Sequence, residues 1–331
     1  MENILTKAPR IGMGCWAIGG PFWSGEKCVG YSGTNDQHSL AAIEAAWDAG
    51  VRVFDTAAVY GAGHSETLLG QTLAHRDDAI ILSKLGHSFN AASKQMTGDR
   101  YDPDYVRDSV AHSRARLKRD HIHLMQIHLN DLSVEKARPL FDTLEKLRDE
   151  GQIGAYGWST DFPDRVDAIA AADYPGFTAV QCAMNVLIDA PAMGKCVASH
   201  NLTQLIRSPL GMGLLTGKFS DGQRVGENDV RQENDNWQHY FFNGQANEDR
   251  LKQLETVRDL LTTGGRTLAQ GALCWLLAKS PRTLPIPGAK NAKQAEENAA
   301  AMAFGPLDAA TMAKIEKTIQ RLPEDKNPRA A

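Results

Sequence analysis

The feature that most limits the fold of this 331-residue chain is an alternation of short apolar runs with longer amphipathic stretches, eight of each. Short β-branched or apolar runs read as buried strands, while stretches with apolar residues recurring every three or four positions read as helices. Strands are expected at 10–15, 51–55, 79–84, 123–128, 154–159, 178–183, 203–207 and 283–287, and helices at 36–49, 65–74, 103–118, 134–151, 162–172, 192–200, 267–279 and 291–303. Eight strand–helix units are the count of a closed α/β (β/α)8 TIM barrel, and no linker divides the chain, so one barrel domain over 1–331 is expected. An open doubly wound sheet is the alternative. Its phosphate fingerprint, G-x-G-x-x-G, is absent, because GMGCWAIGG runs instead into a long Gly-, Ser- and Trp-containing loop.

Two segments exceed the eight units. Residues 216–245 form a long polar loop containing Trp237, Tyr240, Phe241 and Phe242, followed by an extra helix at 246–263. A loop of that length in a compact domain is a lid or is disordered, and four large aromatic side chains favour the lid. A final helix at 308–321 precedes PEDKNPRAA, which reads as a frayed end.

With 42% apolar residues, 23% charged residues and a net charge of −4, the chain reads as an ordinary soluble protein without a broad basic surface for nucleic acid. Small molecules are the expected partners. No apolar run reaches the length of a membrane span and no leader-like run follows the first charges, so a cytoplasmic location is expected. Five scattered cysteines without a CxxC pair fit reduced, mostly buried thiols.

Chemistry enters at the strand ends. VRVFDTAAVYG carries Asp55 and Tyr60, AIILSK ends on Lys84, and HLMQIH ends on His128. In a parallel barrel these ends open into one bowl. Lys84 is costly to bury alone, and Asp55 on a neighbouring strand is its natural ion partner. An ammonium beside a phenol is expected to lower the phenol's pKa from about 10, making Tyr60 a proton donor to a carbonyl oxygen that His128 holds in line. No side chain supplies hydride, so a nicotinamide cofactor is implied. Each residue also has a plainer role: Asp55 as a turn cap, Tyr60 as a loop aromatic, Lys84 as a surface lysine, His128 as a core histidine. Their joint placement at successive strand ends favours the site.

Taken together these segments resemble the aldo-keto reductases over nearly the whole chain. The resemblance implies Asp55 and Lys84 as tuners, Tyr60 as general acid and His128 as carbonyl orienter, in a barrel that binds extended NADPH without a Rossmann domain. GAYGWST and AVQCAMN resemble the segments whose Ser159 and Gln181 would contact the carboxamide; Thr160 stands where the family most often has asparagine. Trp16 and Asp55 join them on the list of cofactor contacts. IRSPLGMGLLTGKF resembles the pyrophosphate loop, with Ser208, Leu210, Gly211 and Lys218 at contact positions. Arg207 stands where many members place an aromatic over the nicotinamide. PIPGAKNAKQAEENAA resembles the adenosine end, with Gly288, Lys290, Gln294, Glu297 and Asn298 at binding positions. Lys290 offers a charge to a 2′-phosphate, which favours NADPH over NADH.

Candidate walls of a substrate pocket are Trp16, Trp23, Tyr60, His87, His128, Asn130 and Trp158. Indoles interspersed with amide and imidazole groups suit a sugar aldehyde, with small aromatic or aliphatic aldehydes as alternatives. His121 and His123 share a strand face but no carboxylate or cysteine completes them, so no metal is expected. The leading function is NADPH-dependent reduction of an aldehyde or ketone. The alternatives are a cofactor-sensing regulatory subunit with little turnover and a barrel isomerase or aldolase using Lys84 as a Schiff base; Asp55 argues against the last.

Overall fold

The structure is a computed structural model that describes residues 3–220, 222–235, 237 and 239–327. Eight parallel strands lie side by side in chain order: Met13–Gly14, Val53–Asp55, Ile80–Leu85, Ile122–Ile127, Ile153–Ser159, Phe177–Ala183, Thr203–Arg207 and Thr283–Pro285. The first and last strands meet through Gly12 N donating to Pro285 O and Gly14 N to Pro287 O, both at 3.0 Å, so the sheet closes into the expected (β/α)8 barrel. Gly14 permits that seam: a Cβ there would lie 2.6 Å from the Ile286 carbonyl oxygen. The first strand is shorter than 10–15, since only Met13 and Gly14 are assigned to its ladder.

Helices on the outside start where the sequence supplies caps. Asn35, Asp102, Ser133, Thr267 and Asn291 each accept a hydrogen bond from a backbone N–H in the first turn of the helix that follows. Thr267 and Gln270 complete a reciprocal capping box.

The side-chain alternation of the strands divides the barrel interior into two levels. At the N-terminal end Val53, Leu82, Leu124, Ala179, Leu205 and Leu284 form a buried apolar cluster, plugged from below by Leu5. The short turn Ile4–Thr6 that carries Leu5 is anchored by Asn3 Nδ2, which donates to Thr178 O at 3.1 Å and Thr203 Oγ1 at 2.9 Å. Two residues further along four of these strands the inward positions turn polar: Asp55, Lys84, Gln126 and Gln181, all buried. Outward positions such as Phe54, Met125, Tyr156, Trp158 and Val180 belong to the larger core between barrel and helices.

Three features depart from the sequence reading. The extra helix of 246–263 is two helices, Glu248–Glu255 and Arg258–Thr262. A second, four-stranded sheet stands outside the barrel, pairing Trp23–Ser24 and Lys27–Cys28 with the hairpin His87–Asn90 and Gln95–Asp99. The long 216–245 segment carries a small hairpin, Phe241–Phe242 with Gln245–Ala246. All five cysteines are buried and unpaired. No helix among the described residues is long and apolar enough to cross a membrane. The end of the expected frayed tail, 328–331, lies outside the described residues.

Candidate active site

The strand register brings the four strand-end residues together. Lys84 Nζ donates to Asp55 Oδ2 at 2.5 Å, to Thr56 O at 2.8 Å and to the Tyr60 hydroxyl at 3.3 Å, so its three N–H bonds are all spoken for. The Lys84 side chain has no exposed surface. Burial pulls its pKa down, but Asp55 and Tyr60 outweigh burial and leave it above the ordinary lysine value, so the site holds an ammonium. The Tyr60 ring stands edge-on to His128, with centroids 5.6 Å apart, and nearly parallel to Trp16 at 5.9 Å.

Tyr60 corrects one expectation. Burial pushes its phenol above the ordinary value, and the opposing charge of Lys84 does not overcome that cost, because Asp55 lies beside Lys84 and cancels part of it. The lysine therefore limits the rise instead of producing a fall. His128 goes the other way. Burial, then the neighbouring His87, Lys84 and Arg207, hold its imidazole well below the usual histidine range and therefore neutral at pH 7. Among the described residues no side chain hydrogen-bonds the His128 ring.

Beneath the tetrad lies an amide brace that sequence reading missed in part. Gln181 Nε2 donates to Asp55 Oδ1 at 2.8 Å and to Gln126 Oε1 at 3.1 Å, while Gln126 Nε2 donates to the same carboxylate oxygen at 3.1 Å. Gln126 stands in MQIH two residues before His128, and strand alternation alone would have placed it on the same inward face. With its N–H groups given to Asp55 and Gln126, Gln181 has its carbonyl oxygen left to offer to a ligand.

The other expected pocket residues divide. Trp16 is half-buried beside Tyr60, its indole N–H donating to Val29 O at 3.0 Å. His87 packs on His128 with ring centroids 5.0 Å apart. Asn130 is half-buried, but its side-chain oxygen accepts from Asp161 N at 2.8 Å and so braces the loop. Trp23 sits in the outer sheet, and among the described residues it makes no ring contact with Trp16, Tyr60 or His128. Trp158 is not a pocket wall: it is fully buried, donates its indole N–H to Leu129 O and packs edge-on against Phe141. It and Ser159 are adjacent on one strand and must face opposite ways; Ser159 faces inward. The Ser159 hydroxyl has no hydrogen-bond partner among the described residues, whereas that of Thr160 donates to Asn130 O at 2.8 Å.

Beyond the seventh strand, Arg207 pairs with Asp161, whose other oxygen accepts from Ala183 N at 2.7 Å. Ser208 at φ +52° and Met212 at φ +55° are non-glycine residues in the left-handed region, around the sharply turned Gly211. Asn185 Nδ2 holds this turn, donating to Ser208 O at 3.0 Å and to the Tyr240 hydroxyl at 2.7 Å.

The 216–245 segment crosses to the loop that follows the first strand. Val230 N donates to Gly30 O at 2.7 Å, Cys28 N to Glu233 Oε1 at 3.1 Å, and Lys27 pairs with Asp235. Trp237 lies 6.4 Å from Trp16, centroid to centroid. Asp229, fully buried, accepts from Ser32 N and Oγ and from both Arg231 Nε and Nη2. Burial would raise its pKa; the Arg231 hydrogen bonds and Lys290 hold it below the ordinary value. Lys290 Nζ donates to Ser32 O at 2.6 Å and lies 3.7 Å from Asp229. Burial first, then the charge of Arg231, push its pKa down to about 8. Neither Asp229 nor Arg231 belongs to a motif that the sequence reading singled out. Around Lys290, Gln294 Oε1 accepts from Lys290 N and Asn298 Nδ2 donates to Gly288 O, so both side chains shape the loop they were expected to line.

Comparison with known proteins gives a concordant picture. Residues 10–320 match the model described as the aldo/keto reductase family. An aldo-keto reductase from Schizosaccharomyces pombe, named for NADP(+), is 28% identical over 89% of this chain and 84% of its own. An NADH-specific methylglyoxal reductase from Escherichia coli is 26% identical over 94% of this chain and 96% of its own. Among solved structures, a glycerol dehydrogenase from Gluconobacter oxydans superposes with a TM-score of 0.77 at 27% identity, covering 96% of this chain and 93% of that one.

Proposed function

Because the chain belongs to the aldo/keto reductase family, NAD(P)H-dependent oxidoreductases of carbonyl compounds, we propose that it reduces a small polar aldehyde or ketone to the alcohol, with Tyr60 as the acid. The observation that carries this reading is Lys84 Nζ, buried, charged and 3.3 Å from the Tyr60 hydroxyl, with a neutral His128 beside the same ring.

Tyr60 gives its proton to the carbonyl oxygen as negative charge develops there, and the phenolate it leaves is steadied by the Lys84 hydrogen bond. Asp55 keeps Lys84 protonated, and the amides of Gln126 and Gln181 keep Asp55 aimed at it. His128, neutral, offers one N–H to the carbonyl oxygen and fixes its direction. Sugar aldehydes fit a mouth walled by Trp16, Trp237 and His87, with small aliphatic or aromatic aldehydes as the alternative.

The residues present also fit a phosphorylated nicotinamide cofactor. Lys218, Arg231 and Lys290 lie close enough to act on one another, with a single buried carboxylate, Asp229, among them. That excess of positive charge adds to burial in lowering the pKa of Lys290 and would be relieved by a phosphate anion. Ser208, Leu210, Gly211 and Lys218 would hold the pyrophosphate; Gly288, Lys290, Gln294, Glu297 and Asn298 the adenosine end; and Trp16, Asp55, Ser159, Gln181 and Arg207 the nicotinamide end. The reduced cofactor supplies the hydride that the carbonyl carbon accepts. The names of similar proteins point both to NADP(+) and to NADH, so the preference for NADPH rests on Lys290. The 216–245 segment would serve as the lid over this groove, tied down by contacts of Val230 with Gly30 and of Asp229 with Ser32 and Lys290.

The test is consumption of NADPH by purified protein against an aldehyde panel, beside Tyr60→Phe. A general acid contributes roughly 10²–10⁴-fold, so kcat should fall at least about 100-fold with cofactor affinity unchanged. Equal turnover by both proteins refutes the acid role. Tight NADPH binding without turnover by the wild type favours a cofactor-sensing subunit.

A further inference from the structure

His87 has a partner that the reaction above does not use. Its chain leaves the third strand through Gly86, whose φ of +131° no side-chain-bearing residue adopts readily, and this turn aims His87 back over the mouth. The backbone on either side is clamped by Tyr105, whose hydroxyl accepts from Gly86 N at 3.1 Å and donates to His87 O at 3.2 Å. The side chain is clamped as well. Asp99, directly opposite in the outer hairpin, lies with Oδ1 2.6 Å from His87 Nδ1. The same hydrogen bond holds the Asp99 carboxyl below the usual range, so it is an acceptor and Nδ1 must carry the proton. The other ring nitrogen, Nε2, then presents a lone pair when the ring is neutral. It has no partner among the described residues, and the His87 side chain keeps 21% of its surface exposed.

The His87 and His128 rings are 5.0 Å apart and meet at a steep angle. Two oxygens on neighbouring carbons lie roughly one hydrogen-bond length apart, which suits one imidazole for each. With His128 on the oxygen of the reacting carbonyl, an oxygen on the next carbon would fall to His87, whose Asp99-fixed tautomer, in the neutral ring, accepts a hydrogen bond and gives none.

We propose that the Asp99–His87 pair makes this site select carbonyl compounds bearing a free hydroxyl on the carbon next to the carbonyl. The assignment rests on the reductase reading and narrows its substrate class. A hydroxyl donates to Nε2 and is retained; a hydrogen leaves Nε2 to water; a second carbonyl sets an oxygen lone pair against a nitrogen lone pair. Sites built to bind a hydroxyl can discriminate by several orders of magnitude when fully buried. The exposure of His87 lowers that here to about 2–10-fold, the worth of one hydrogen bond between neutral groups of roughly 0.5–1.5 kcal/mol.

The experiment uses three aldehydes with one carbon skeleton: propanal, 2-hydroxypropanal and 2-oxopropanal. Their kcat/KM values are measured with NADPH for the wild type, His87→Leu and Asp99→Asn. Because each comparison is between proteins on one substrate, the differing intrinsic reactivities of the aldehydes cancel. The expected result is a fall of about 2–10-fold in the ratio of kcat/KM for 2-hydroxypropanal to that for propanal in His87→Leu, carried mainly by KM on the hydroxyaldehyde. Asp99→Asn, which retains the imidazole but releases its tautomer, should lose part of the same preference and gain on 2-oxopropanal. NADPH binding by fluorescence verifies that each variant is folded. Equal losses on all three substrates, or no change of ratio in either variant, overturn the role of His87 while leaving the reductase reading intact. A wild type that binds NADPH and reduces none of the three overturns the reductase reading and this inference with it.

Discussion

Replacing Lys84 by methionine removes the charge while keeping most of the side-chain volume, and the structure sets the size of the effect. The ammonium lies 3.3 Å from the Tyr60 oxygen. At that separation its attraction for a phenolate is about 5 kcal/mol with an effective dielectric of about 20. Asp55 Oδ2, 2.5 Å beyond the ammonium and so within about 6 Å of the phenol oxygen, opposes it by about 3 kcal/mol and leaves roughly 2 kcal/mol. The expected outcome is a fall in kcat of about 10–50-fold, with a smaller effect on KM. The acidic group seen in the pH–rate profile should also move to higher pH, since burial already raises the phenol and Lys84 is its main relief. Breaking a buried ion pair by removing one partner costs about 3–5 kcal/mol of stability. The two glutamine amides on Asp55 Oδ1 reduce that cost here. The assay is stopped-flow reduction of a good aldehyde at saturating NADPH, with urea unfolding in parallel. A folded variant that binds cofactor and loses less than about tenfold in kcat would refute the claim that Lys84 carries the phenolate.

Two more outcomes follow from the ionisation of buried groups. His123 Nδ1 accepts from Ile81 N, and burial with nearby cations pushes its pKa down to about 4. The unfolded chain takes up that proton near pH 6.5, so stability is lost as pH falls from about 6.5 toward 4; His123→Asn should remove about 2 kcal/mol of the loss between pH 7 and 4.5 by urea titration, and an unchanged pH dependence would rule the histidine out. Lys290→Met should weaken NADPH by roughly 10–100-fold and NADH little, by fluorescence titration. In the wild type, the free lysine loses its proton as pH rises through about 8, so NADPH affinity should decline above that pH while NADH affinity stays flat.

The strands were legible because a buried parallel strand is a run of apolar residues whatever its neighbours do, and Val51 to Asp55 or Ala79 to Lys84 read the same way in isolation. The four residues proposed for the reaction stood out because each is a polar group at or just past the end of such a run. Trp158 was misread through a failure of parity: two neighbours on one strand, Trp158 and Ser159, cannot both enter the pocket. Gln126 obeys the same rule and was overlooked, since an amide inside an apolar run carries no chemistry until its carboxylate partner on another strand is known. Asp229, Arg231 and Asp99 lay out of reach for a different reason. Each acts through a residue far away in sequence, and no local pattern announces a contact such as that between Asp229 and Ser32. The outer sheet was missed because its short, partly exposed strands have little apolar alternation.

That outer sheet changes what kind of object the pocket wall is. In a barrel whose mouth is ringed by independent loops, each loop can drift in length and shape without consulting the others. Here the crossovers after the first and third strands are stitched together where Trp23 pairs with Gln95, so they behave as a single panel. Insertions in one would shear the register of the other and carry His87 away from His128. Variation at this wall should therefore proceed by exchanging side chains on a fixed frame, which makes it a good place to retune selectivity one residue at a time and a poor place to graft a loop.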